Sequence, residues 1–288
     1  MSNHIGTIHT APRDLAQWVS LFDPAQLPVL AATANELDLL RLNEDAVDAH
    51  LLADVVASDP LMTLKLLAHV GHLRRGRGGS HIETDTETVT EALVMLGISP
   101  FFRAFGAQPA TVEAQLAGQP AALAGFQDVL ARARRAARYA IGFAVHRMDP
   151  DAAVIHEAAL LHDFAELLLW LRAPGLALQI AQRQQADVGL RSAAVQRELL
   201  HIELDELEHA LMLAWRLPAL LVQITDEHAA PGPTSLQTRN VQLAIRLARH
   251  SKLGWDNAAL PDDLHDIAQL LNLSAEAALR LVLEIDAE

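Results

Sequence analysis

No cysteine occurs among the 288 residues. Disulfides and thiolate metal sites are therefore excluded, which fits a reducing compartment. Aromatic residues make up only 4% of the chain, against 51% hydrophobic residues. The core must then come from Leu, Ala and Val, the usual material of packed helices. No uninterrupted apolar run reaches the roughly 18 residues of a membrane span. Residues 1–13 lack the basic start and apolar run of a signal peptide. A cytoplasmic protein without a membrane partner is the expectation. Positive charge is scarce: the net charge is −14, which argues against broad binding to nucleic-acid phosphates. Alternation of period two, a P-loop, a dinucleotide fingerprint and a Ser-His-Asp signature are all missing.

What is present is helical periodicity. Residues 15–22, 30–42, 46–56 and 61–70 carry apolar positions at helical spacing, with Asp45 as the expected cap of the third and Pro60 in the first turn of the fourth. Residues 88–96 form a further helix closed by Gly97. The segment 107–120 is small and polar, with Pro109 and Pro120 near its ends, and marks a lobe boundary. A long Ala-rich helix is expected over 121–148, carrying Arg132, Arg134, Arg135 and Arg138. Further helices follow to residue 285, and Ser274 is the expected cap of the last. The fold class is all-α. Its expected organisation is an arm and first helix over 1–23, a domain over 24–255 with lobes at about 24–115 and 120–255, and a helical extension over 256–288.

The most informative stretch is 158–170, apolar almost all round and read as part of one buried helix between Pro150 and Pro174. His162, Asp163 and Glu166 interrupt it and fall on roughly one helical face. Buried charge needs a partner, so either a metal or a hydrogen-bond network must answer this cluster. The blander network reading is favoured by ligand count. His201 and His209 are two turns apart and are read as surface residues, and His69 with His72 as a solvated pair. Residues 71–80 form the least regular stretch, with Arg74, Arg75 and Arg77 among glycines. Such a loop is either a solvated connection or a partner-binding site, and it is expected to be exposed.

Several segments together resemble the HDOD family, the HD-related output domains of bacteria. They are Ser58-Asp59-Pro60-Leu61 with the run to Leu67, Val89–Leu96 with Gly97, Leu160-Leu161-His162-Asp163, and Trp215-Arg216-Leu217-Pro218 followed by His228. The resemblance covers roughly residues 24–250. It implies an all-helical domain associated with bacterial signalling and without an established common catalytic activity. The wider HD superfamily includes metal-dependent phosphohydrolases, in which several His and Asp ligands hold a metal that activates water. Against that pattern this chain keeps only His162 and Asp163. Residues 129–140 contain no His, Leu204 stands where relatives carry His, Ile245 where the enzymes offer Asp, and Ala165 where Gly is common.

The resemblance therefore implies a non-catalytic signal-transduction module that meets an unidentified signalling protein, with no cofactor. Two other readings compete. One is a phosphohydrolase with an unusual site, in which His162 and Asp163 bind metal with help from His228 or His201. The other is a nucleotide or nucleic-acid binder using the arginines at 74, 75, 77 and 132–138. On the non-catalytic reading, an arginine from the 132–138 segment is the expected partner of Asp163.

Overall fold

A computed structural model describes residues 6–76, 87–106, 110–187, 189–226 and 235–287. Among them there is no strand, only an isolated bridge between Val29 and Thr111, and the fold is all-α. The chain divides into two compact units that interleave in sequence. The first takes residues 1–129 and 163–218, and the second takes 130–162 and 219–288. This differs from a split in sequence order near residue 115. Contacts between helices far apart in sequence decide the grouping, and local composition does not report them.

In the first unit, helix Leu15–Ser20 packs on helix Leu204–Trp215, which also meets helix Phe164–Arg172. Trp18, fully buried, donates its indole N–H to the carbonyl of Leu200 at 3.0 Å. Asp59 organises the N-terminal helices. Its Oδ1 accepts the backbone N–H of Leu61 and Met62, capping helix Pro60–Gly76. Its Oδ2 accepts the N–H of Leu30 at 2.8 Å, where helix Ala31–Arg41 begins without a cap of its own. Glu113 accepts the next N–H, that of Ala31. One carboxylate thus satisfies orphan donors of two helices. Burial pushes the Asp59 carboxyl above its ordinary value, and these N–H groups with the Thr33 hydroxyl pull it back.

Several expected boundaries move. Asp48, not Asp45, caps helix Ala49–Ala57, through the N–H of Leu51. Asp45 lies in the preceding 3-10 turn, Glu44–Ala46. The fourth helix does not stop at Val70 but runs to Gly76. Gly71 lies within this helix and has to be glycine, because the backbone of Arg216 passes so close that a Cβ would stand 2.5 Å from its carbonyl oxygen. Thr88 does form a full capping box with Glu91, and Gly97 closes that helix at φ 85°.

The second unit holds helix Ala152–Leu161 against helices Ala219–Thr225 and Leu236–His250, with Leu260–Leu271 and Ala275–Ala287 completing it. Helix Pro120–His146 contributes its later turns. From these Arg135 binds Asp286 in a two-pronged pair, Nε to Oδ1 at 2.6 Å and Nη2 to Oδ2 at 2.7 Å. The Tyr139 hydroxyl joins the same carboxylate at 2.9 Å, and Ser274 caps the last helix through the N–H of Ala277. No single described helix is long and apolar enough to cross a membrane.

Candidate functional site

The polar cluster His162, Asp163 and Glu166 does not lie inside one buried helix. The helix breaks at His162 and Asp163, giving Ala152–Leu161 and Phe164–Arg172. His162 is the last cap of the former and Asp163 the first cap of the latter, and the boundary between the two units falls between them. All three residues are half-buried rather than enclosed. The apolar run misled the reading because both helices are themselves buried: Leu160, Leu161, Phe164 and Ala165 are each at most 1% exposed. Continuous burial across a break looks in sequence like one continuous helix. The carbonyl of Asp163 accepts the N–H groups of Glu166 and Leu167, starting the new helix.

His162 lies beside Arg249, whose Nη2 is 3.2 Å from the imidazole Nε2. A guanidinium carries only donors, so Nε2 must be the acceptor and the ring proton sits on Nδ1. The lone pair that would bind a metal is therefore facing a cation. The aligned ligand positions are apolar and packed: Leu204 is 8% exposed and Ile245 5%. Among the described residues no group of three His, Asp or Glu side chains could hold a metal ion. The donors among the described residues fall short of the three protein ligands and open position that a catalytic metal needs. Arg135, one of the arginines expected near Asp163, instead commits its guanidinium to Asp286.

The other expected residues fall as follows. Arg74 and Arg75 stand in the last turn of helix Pro60–Gly76, while Arg77 and His228 lie outside the described residues. His201 is exposed, in a left-handed conformation that ends helix Ser192–Leu200, and its Nδ1 lies 3.0 Å from the carbonyl of Pro12. His209 is not a surface residue: it is half-buried with an enclosed Nδ1. Of the pair His69 and His72, His72 is exposed, while His69 is half-buried, packs edge-on against Phe105 at 5.2 Å, and has its pKa lowered by burial.

Sequence reasoning missed Arg249 and the cluster around it. Asp263, fully buried, accepts from Arg246 at 2.6 Å and lies 2.5 Å from His250 Nδ1. Arg246 also reaches Asp266. An open cavity of about 440 Å³ is lined by Arg239, Arg246, Arg249 and Asp266. Spacing on helix Leu236–His250 puts these arginines on one side, a signal already present in its amphipathic pattern, with Val241, Ile245 and Leu247 buried.

A family model described as HDOD domain matches residues 27–231. The chain belongs to the HDOD family. No curated protein matches its sequence. Solved structures similar to this HDOD chain include the MmoQ response regulator from Methylococcus capsulatus, 20% identical, covering 88% of this chain and 97% of that one at a TM-score of 0.66. A virulence factor from Campylobacter jejuni is 16% identical, covers 93% and 90%, and has a TM-score of 0.61. An HDOD domain protein of unknown function from Geobacter sulfurreducens is 18% identical, covers 95% of both chains, and has a TM-score of 0.50. At these identities the likeness shows the fold alone. The HDOD match spans both units, so the interleaving lies within the domain itself.

Proposed function

We propose that this HDOD chain is a non-catalytic signalling module of the bacterial cytoplasm that acts by binding another protein. The observation that supports it most is the guanidinium of Arg249, 3.2 Å from Nε2 of His162, which sets a cation beside the imidazole of the His-Asp pair. The apolar Leu204 and Ile245 at the aligned ligand positions support the same reading. So does the response-regulator name of the similar MmoQ protein. A cation already hydrogen-bonded to the imidazole opposes metal binding by charge and by occupation of the lone pair.

The test has two arms. Mn, Fe, Zn and Mg are measured in protein purified without chelator or affinity tag, and phosphodiesters and nucleotides are assayed with each metal added. The expected outcome is substoichiometric metal and no turnover above a His162→Ala, Asp163→Ala double variant. Stoichiometric metal with turnover lost in that variant would replace this reading by the phosphohydrolase one. In parallel, capture from a native lysate with the wild-type chain identifies the partner. Nucleotide binding that weakens steeply with salt, in place of protein capture, would favour the arginine-based binder.

A further inference from the structure

We propose that the first unit binds a small carboxylate with an apolar body, in a cleft beside the C-terminal end of helix Phe164–Arg172. The cleft holds about 220 Å³. Its walls are the buried side chains of Phe22, Leu27, Leu168 and Leu171, with Leu21 half-buried among the lining residues. Arg172 is the one cation among the lining residues.

Arg172 carries the argument. Its Nε and Nη1 are shielded from solvent and have no hydrogen-bond partner among the described residues. Burial lowers its pKa. Its own carbonyl accepts the N–H of Ile8 at 2.7 Å, which ties down the end of the helix. Enclosed donors without acceptors are rare in native proteins, and here two of them belong to one half-buried guanidinium. The nearest acid of the lining, Asp23, is exposed. It accepts the N–H of Ala25, and its charge favours the ammonium of Lys65.

The chemistry of the missing partner follows from the walls. A guanidinium fork matches a carboxylate or a phosphate. A dianionic phosphate would find one cation, apolar walls and the charge of Asp23. A monoanionic carboxylate with an aliphatic or aryl body satisfies the cation with its head and the walls with its tail. An apolar cavity of about 150 Å³ suffices for benzene, so the space here suits a ring or a chain of roughly six to eight carbons. The site is independent of the signalling reading and stands or falls without it.

Calorimetry and thermal shift on the full chain test it, with octanoate and phenylacetate as probes and 1-octanol and inorganic phosphate as controls. Both carboxylates should bind saturably and raise Tm. Octanol should bind at least about 10-fold more weakly, and phosphate not at all. Arg172→Met should weaken octanoate by about 10- to 100-fold while leaving octanol unchanged. Leu21→Trp, which crowds the cleft and leaves Arg172 in place, should abolish octanoate binding even if Arg172→Met fails to fold. The proposal is overturned if neither carboxylate binds, if octanol matches octanoate, if phosphate alone binds, or if octanoate affinity is unchanged in a folded variant.

Discussion

Lys65 shows how a single buried group governs pH dependence. The residue is 5% exposed, and its Nζ donates to the carbonyl of Leu27 at 2.7 Å. Burial pushes its pKa down from 10.5 to about 8, with Asp59 and Asp23 pulling it back up. Between those two values the unfolded chain binds more protons than the folded one, so stability rises with pH across that window. The full increment is at most about 3 kcal/mol. Urea unfolding between pH 7.5 and 10.5 should show this rise in the wild type, and Lys65→Met should flatten it. A wild-type profile as flat as that of the variant would mean the ammonium is no worse solvated in the fold than in water. The role of Asp59 was legible in part. The Ser58-Asp59-Pro60 sequence announces a helix start, but the second donor, Leu30, lies 29 residues away and no local pattern reaches it.

At the scale of elements, glycine decides a question that periodicity could not. The glycines from 71 onward read as a loop, yet Gly71 sits inside helix Pro60–Gly76 against the Arg216 backbone. Gly71→Ala should gain helix propensity and still lose stability, by about 2 kcal/mol, because a main chain cannot step aside as a side chain can. Circular dichroism melts would decide, and a stabilised variant would show that the two segments part easily. The last helix is held by chemistry rather than by its apolar face alone. The Arg135 hydrogen bonds hold the Asp286 carboxyl below its ordinary value of 3.8. That stability is present above pH 3.8 and is lost as pH falls through the folded value. Asp286→Ala should therefore cost about 2–3 kcal/mol at pH 7, much of it from leaving Arg135 unanswered, and the deficit should shrink in acid. A deficit that stays constant down to pH 3 would assign the loss to packing. The break at His162 and Asp163 belongs to this scale too. Both flanking helices are buried, so hydropathy alone carried no sign of it.

The whole molecule is built from sequence segments that alternate between two units. Composition made the all-α class legible because few aromatics and abundant Leu and Ala leave helix packing as the way to fill a core. It could not reveal the alternation. The evidence for that is a set of distant contacts: Trp18 to Leu200, Gln115 to Leu171, Arg135 to Asp286 and Asn240 to Ala140. A cut in the polar segment 107–120, the natural boundary in sequence, would leave each fragment without partners that its unit requires. The fragment 1–118 would expose the face of Trp18 without helix Leu204–Trp215, and the helix Phe164–Arg172 that it meets, to complete the first unit. Expressed alone, it should keep helical far-ultraviolet dichroism but lose a cooperative melt and bind hydrophobic dyes, the marks of unspecified packing. Mixing it with the fragment 119–288 should restore a cooperative transition, since together they supply every segment of the first unit. A sharp melt for 1–118 alone would show that the N-terminal helices form a core of their own, and that the segment 163–218 merely docks on it.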